Sequence, residues 1–373
     1  MSNRIDQQRP DAPELAAPGP LCVGVETLEL VNPAQPDVIA ALQGRDERCD
    51  RWLVVEHWYP ALPGTGLVQP YRTLLRDGRT EVLLHGAARR GADALAGAFP
   101  LVILSHGYPG NRMLMSHLGE NLATKGYRVV ALDHPDSTYG DAGYLGGQAF
   151  GSTLVNRPLD TAFVARAMGG AQVAIVGYSM GGYGALVSGG ARVAWAALAE
   201  AGLAGRLWAQ HCDAVADARL KAVVCFGPWG RHRGLWDAAG MAGLSVPALI
   251  VAGDQDPVSG YDGGMRLTFA EAVGVTRHLL TFQGAGHNAG APIPAPQESW
   301  SRVAGLDFMP FEHYADAVWD TLRMNNVAQH FVTAFLDQHL KGADTAGFLT
   351  PEFQGFGPGT VRGLRLETLT PAP

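Results

Sequence analysis

Ser179 lies in Gly177-Tyr178-Ser179-Met180-Gly181, directly after the apolar run Val173-Ala174-Ile175-Val176. A β-branched stretch that stops at Gly-x-Ser-x-Gly reads as a nucleophile elbow, a sharp strand-to-helix turn that holds a serine at its apex on a strained backbone. Side chains at the two flanking glycines would collide with the neighbouring strand and helix. A serine hydroxyl is protonated at neutral pH and is a weak nucleophile. It needs a base, an acid to orient that base, and donors for the charge that develops on an acyl oxygen.

Twelve histidines compete for the base. His287 sits in Gln283-Gly284-Ala285-Gly286-His287-Asn288, just after a strand-like run, where a glycine-flanked loop can swing an imidazole over the sheet edge. His278 is in a strand and His330 and His339 are on a helix, positions that suit structural or exposed roles. For the acid, the run Ala248 to Val251 is followed by Ala252-Gly253-Asp254-Gln255-Asp256-Pro257-Val258. Asp256 is preferred because it lies deeper in the loop and precedes a proline that fixes the turn. Asp254 is expected to cap the turn through its own backbone amides. The oxyanion donors are expected to be the amide of Met180, at the start of the elbow helix, and the amide of Tyr108 in Ser105-His106-Gly107-Tyr108-Pro109-Gly110.

These residues must be carried by strands that end on one edge. The continuous apolar run Pro100 to Leu104 suits a strand covered on both faces, and Tyr127 to Leu132, Leu220 to Phe226, Ala248 to Val251 and His278 to Phe282 read the same way. Cys22 to Val31 and Trp52 to Tyr59 are further strands, and residues 61–98 are rich in loops. Met113 to Lys125, Asn156 to Met168, a stretch near Ala191 to Leu207, and Val327 to Leu340 read as helices, several of them closed by glycine. Strands alternating with helices give an α/β fold with a doubly wound, mostly parallel sheet, whose ligand sits beyond the carboxyl ends of the strands.

The chain of 373 residues has 47% hydrophobic and 17% charged residues, enough for a large core. The formal charge of −7, with no basic run, excludes nucleic acid as an expected partner. Cys22, Cys49, Cys212 and Cys225 are scattered without Cys-x-x-Cys spacing, so neither a disulfide-dense scaffold nor a zinc finger is expected. The uncharged stretch between Arg166 and Arg192 is broken by glycines and reads as a buried strand and helix rather than a membrane span. Met1 to Pro20 carries no secretory h-region, and the expectation is a soluble, cytoplasmic protein. Three regions are expected: a flexible Pro-rich leader over 1–20, a catalytic domain over 21–342, and a Gly/Pro-rich tail over 343–373. Residues 288–326 hold Trp300, Phe308, Phe311, Tyr314 and Trp319. They form either a partial cap with an aromatic pocket or an ordinary satellite core. Trp229, with Trp236, stands in the loop after the Cys225 strand and can add to that pocket. His134, Asp136 and Tyr139 either line the pocket or only form a turn, and Tyr178 and the Met180 side chain read as packing and pocket walls.

Taken together, Ser105 to Arg112, Leu118 to Ala123, Gly126-Tyr127 and Glu56-His57-Trp58-Tyr59-Pro60 resemble the α/β-hydrolase superfamily. Within it they resemble the branch of dienelactone-hydrolase-like and platelet-activating-factor-acetylhydrolase-like enzymes, over residues 21–342. The chain order Ser179, Asp256, His287 is that of the α/β-hydrolases. The resemblance implies Ser179 as nucleophile, Asp256 as acid, His287 as base, and Tyr108 and Met180 as oxyanion amides. Dienelactone hydrolases proper use a cysteine nucleophile, and this chain has Ser179 in that place. The expected activity is hydrolysis of small to medium, largely uncharged carboxylic esters through an acyl-enzyme, with no metal or cofactor and no stable membrane insertion. Amide or peptide hydrolysis by the same triad is the alternative, followed by a non-catalytic binding role for the fold. Nothing in the sequence fixes the oligomeric state.

Overall fold

Strands form where aliphatic and β-branched runs lie between turn residues, and helices where glycine and capping residues bound a longer segment. In the computed structural model, which describes residues 3–141, 149–194 and 217–371, the strands are β1 (Asn3–Arg4), β2 (Cys22–Pro36), β3 (Arg48–Ala61), β4 (Leu67–Val68), β5 (Tyr71–Leu74), β6 (Glu81–His85) and β7 (Arg89–Arg90). They continue with β8 (Leu101–Ser105), β9 (Arg128–Leu132), β10 (Val173–Tyr178), β11 (Leu220–Phe226), β12 (Ala248–Gly253), β13 (Arg277–Phe282) and β14 (Leu364–Leu369). Four helices matter to the site: α1 (Ser116–Thr124), α2 (Ala149–Met168), α3 (Met180–Ser188) and α4 (Thr321–Leu336). Cys212 and most of the helical stretch expected near Ala191 to Leu207 lie outside the described residues.

Among the described residues the main sheet has eleven strands in the order β14-β13-β12-β11-β10-β8-β9-β3-β2-β7-β4. Its centre, β13 through β9, is parallel, with antiparallel strands toward both edges. Alternate side chains divide the core in two. Val102, Leu104, Ala174 and Val176 face α1 and α4 through Leu118, Leu122, Phe331 and Phe335. Leu101, Ile103, Val173 and Ile175 face α2 and α3 through Leu154, Val164, Tyr183 and Leu186. This is the period-two division of a sheet covered on both faces. The registers Leu132↔Ser105, Ser105↔Gly177, Tyr178↔Phe226 and Gly253↔Phe282 bring the carboxyl ends of these strands to one edge.

Helix α2 begins at Ala149, earlier than the expected Asn156, and carries Pro158 in its interior. Proline lacks the N–H that would satisfy the carbonyl four residues back. That carbonyl, on Leu154, accepts the Tyr183 hydroxyl at 3.0 Å instead, which ties α2 to α3.

The Pro-rich leader and the Gly/Pro-rich tail are each hydrogen-bonded into the body. β1 pairs with β6, the Arg9 amide donates to Asn326, the Leu15 amide donates to His330, and Gly19 donates to Thr124. The buried Lys125 ammonium donates to the Leu15 carbonyl, Asn121 and Thr333, which binds the leader to α1 and α4 at once. In the tail β14 adds an antiparallel strand beside β13, and Phe353 and Phe356 pack on Phe331. Prolines shape the leader without freeing it, since side chains from α1 and α4 satisfy its backbone. Among the described residues no helix is long and apolar enough to cross a membrane.

The core also holds neutral imidazoles. His106, His117, His134, His278, His313 and His330 are all buried. Burial pushes His134 and His278 down to about 4 and His117 and His330 down to about 3, and His106 and His313 well below the ordinary value.

Each of these histidines takes up a proton on unfolding between its lowered folded value and about 6.5, so stability falls as pH drops through that window. The loss is on the order of 1 kcal/mol per pH unit for each such group. Urea midpoints are therefore expected to fall steeply from pH 7 to pH 5, and equal midpoints across that range would contradict the assignment. Removing residues 1–20 is expected to lower the thermal midpoint, as is Lys125→Met, which strands buried acceptors at a cost of about 1–3 kcal/mol. A midpoint unchanged by the truncation would show that the leader is loose after all.

Candidate active site

The turn from β10 into α3 puts Ser179 at φ 55° and ψ −112°, in the left-handed half of backbone space that a residue with a side chain seldom occupies. The turn closes because its flanks lack side chains. A Cβ on Gly177 would stand 2.1 Å from the Gly181 carbonyl oxygen, and one on Gly181 would stand 1.9 Å from that of Ser105. Backbone bonds fix the apex: the Ser179 amide donates to Phe226 at 2.8 Å, and its carbonyl accepts from Tyr183 and Trp229 at 3.1 Å each.

Ser179 and His287 line the same cavity, of about 540 Å³, above the strand ends. His287 Nδ1 is 2.8 Å from Asp256 Oδ2. The other Asp256 oxygen accepts the amides of Val258 and Ser259 at 2.7 and 2.9 Å. Burial works against ionisation of Asp256, but the His287 ring and those two amides outweigh it and hold the carboxyl below its ordinary value. Since Nδ1 of His287 is engaged by an ionised carboxylate, Nε2 is the nitrogen left to serve the cavity.

Asp254 does something other than cap its own turn. Its carboxylate accepts the amide of Gly284, thirty residues along the chain, at 2.7 Å, and so ties the β12 loop to the His287 loop. The capping of local amides belongs to Asp256.

Tyr108 and Met180 flank the serine. Gly107 and Tyr108 line the cavity, and a Cβ on Gly107 would lie 3.4 Å from that of Ser179. Met180 is the first residue of α3, so its amide has no acceptor within the helix. Tyr178 also lines the cavity; its ring lies 5.2 Å from that of His287, and its hydroxyl donates to Asn288 at 2.8 Å.

The other expected pocket residues point elsewhere. Trp300 is 63% exposed and packs at a tilt against Phe311, while Trp319 packs on Phe282 in the core and donates to the Gln283 carbonyl. Trp229 packs edge-on against Phe150 and His232. Tyr139 is buried behind His313, and His134 is wholly buried below the Ser105–Gly110 loop, where its amide meets His106. A loop aromatic buries wherever its segment folds back, and sequence does not give that direction.

The cavity wall is finished by residues that sequence reasoning missed. Arg76 lines it, with its guanidinium 4.5 Å above the Phe308 ring. Asn288 donates to the Glu312 and Ala315 carbonyls, and Asp316 accepts the amides of Gly286, Val318 and Trp319. Together they staple the segment after His287 over the site. Asn288 directly after His287 was the one local signal for this. Arg76 and Asp316 gave none.

A second Ser–His–Asp arrangement lies nearby. Ser105 Oγ is 2.8 Å from His134 Nε2, and His134 Nδ1 is 3.2 Å from Asp160. Ser105, His134 and Asp160 are at most 1% exposed, and none lines the cavity, so no substrate reaches them. Access distinguishes the two sets.

A family model described as the alpha/beta hydrolase fold matches residues 100–188, from β8 through the elbow helix. Among characterised proteins the chain is similar to cutinase est1 of Thermobifida alba, 26% identical over 206 residues, which are 49% of this chain and 55% of that one. It is also similar to cutinase est2 of the same organism, 25% identical over 286 residues, 70% of this chain and 72% of that one. The chain thus spans little more than half the length of the first of these relatives. Among solved structures it resembles a ferulic acid esterase from Streptomyces cinnamoneus, with a TM-score of 0.66 and 21% identity, over 96% of this chain and 100% of the other. With a parallel sheet, a serine elbow at its edge and these similarities, the chain has the α/β-hydrolase fold.

Proposed function

We propose that this protein hydrolyses carboxylic esters with Ser179 as nucleophile, His287 as base and Asp256 as the acid that orients it. The observation that carries the reading is the 2.8 Å contact of His287 Nδ1 with a buried Asp256, in a loop whose histidine shares one cavity with the elbow serine. Asp256 fixes the imidazole tautomer, and Nε2 takes the Ser179 proton as the hydroxyl attacks the ester carbonyl. Negative charge on the carbonyl oxygen develops against the Tyr108 and Met180 amides and the start of α3. His287 then gives the proton to the leaving alcohol, and the same base activates water to cleave the acyl-enzyme.

The names of the relatives support this reading, since cutinases and a ferulic acid esterase are ester hydrolases. The cavity supports small to medium substrates, with Pro257, Val258, Ala315 and Ala317 giving apolar wall and Arg76 adding one cation. The finer kinship with serine-nucleophile enzymes of the dienelactone-hydrolase-like and platelet-activating-factor-acetylhydrolase-like branch is supported by Glu56 to Pro60 and Ser105 to Arg112.

On a panel of nitrophenyl esters and anilides, the wild type is expected to turn over esters and Ser179→Ala to lose turnover; retained hydrolysis in that variant would sink the mechanism. Asp256→Asn is expected to lower kcat by about 10³–10⁴-fold, because the imidazole loses its tautomer and its counter-charge. Asp254→Asn is expected to lower it less than about 10-fold, with the loss traceable to the Gly284 contact. The reverse order of the two effects would reassign the acid.

A further inference from the structure

None of the side chains in the buried polar cluster under the oxyanion loop lines the cavity, and backbone groups fix the direction of its main hydrogen bonds. The His134 backbone N–H can only donate, and it lies 3.1 Å from His106 Nε2. His106 therefore carries its proton on Nδ1, which donates to the Gly107 carbonyl at 2.7 Å. Asp160 accepts from His134 Nδ1, so His134 Nε2 accepts the Ser105 hydroxyl. Arg51 holds Asp160 in turn through two contacts of 2.8 and 2.9 Å.

At the centre is Arg157 of α2, 1% exposed. Its guanidinium donates to the carbonyl of His106, to the carbonyl of Gly107 at 2.8 Å and to the Ser137 hydroxyl at 2.9 Å. A trans peptide is planar, and its N–H points opposite to its C=O. Drawing the Gly107 carbonyl toward Arg157 therefore aims the Tyr108 N–H the other way, toward the cavity that Gly107, Tyr108 and Ser179 share. The His106 carbonyl is drawn the same way, which turns the lone pairs of two consecutive peptides away from the place where negative charge develops. Carbonyls facing that place would repel an oxyanion; amides attract it.

We propose that Arg157 is a positioning residue for ester hydrolysis, holding the His106 and Gly107 carbonyls so that the Tyr108 amide faces the developing oxyanion. The inference rests on the ester-hydrolase reading above. It assigns a role to a cation that touches neither substrate nor nucleophile. Asp160, held by Arg51, supplies the buried counter-charge in the same helix, and burial lowers the Arg157 guanidinium to about 9, which leaves it charged at neutral pH.

The test uses the full chain with nitrophenyl butyrate, and an alkyl trifluoromethyl ketone whose serine adduct carries an oxyanion. Wild-type turnover that depends on Ser179 establishes the underlying reading first. Arg157→Met is then expected to lower kcat by about 10²-fold, the scale of losing one oxyanion donor. KM should stay within about twofold, and ketone affinity should fall in proportion to kcat/KM. Arg157→Lys, which keeps the cation and can reach one carbonyl, is expected to recover part of both losses. Unchanged kcat in folded Arg157→Met would overturn the proposal while leaving the ester-hydrolase reading intact. So would a kcat loss without loss of ketone affinity, or a change confined to KM. Failure of both variants to fold would make Arg157 a purely structural residue and overturn it as well.

Discussion

The site depends on how closely the backbone of the elbow approaches the end of β8. Gly181 comes so near the Ser105 carbonyl that a Cβ would stand 1.9 Å from its oxygen, and Gly177 packs as tightly against Gly181. That contact lets β10 turn into α3 within one residue, and it forces Ser179 to φ 55°. A strained serine persists only where its surroundings over-determine it. Here they do so through the Phe226, Tyr183 and Trp229 backbone bonds. The same approach sets the loop after β8 beside Ser179, because Ser105 leads straight into His106, Gly107 and Tyr108.

Polar order beneath the sheet edge then fixes orientation. Asp256 divides its oxygens between local amides and His287, and Asp254 ties two loops, so the imidazole has little freedom to leave the cavity. On the other side, Arg157, His106, His134 and Asp160 hold the loop carbonyls. This organisation has a thermodynamic consequence. Imidazoles kept neutral in the core cost nothing in protonation near neutral pH and weaken the fold toward acid.

Features written in short stretches were legible in the sequence. The elbow, the parallel strands and the strand-end loops holding Asp256 and His287 each announce themselves within about ten residues. That Asp256 and not Asp254 lies against His287 accords with its depth in the loop, although the amide-capping expected of Asp254 falls to Asp256. What escaped was set by distant partners. Trp300 and Trp319 lie nineteen residues apart in one segment, yet one faces solvent and the other the core, and nothing local distinguishes them. The Pro-rich leader reads as loose because its anchors, Lys125, Asn326 and His330, are more than a hundred residues away. Arg157 looks like any helical arginine until the loop it clamps is known.

Ser179 in the cavity, and not the buried Ser105 bonded to His134, is the proposed reacting serine. Treating the wild-type protein with diethyl nitrophenyl phosphate, followed by proteolysis and peptide mass mapping, tests this directly. A single phosphoryl adduct on the peptide carrying Ser179 is the predicted result. An adduct on Ser105, or none on Ser179, would contradict the account.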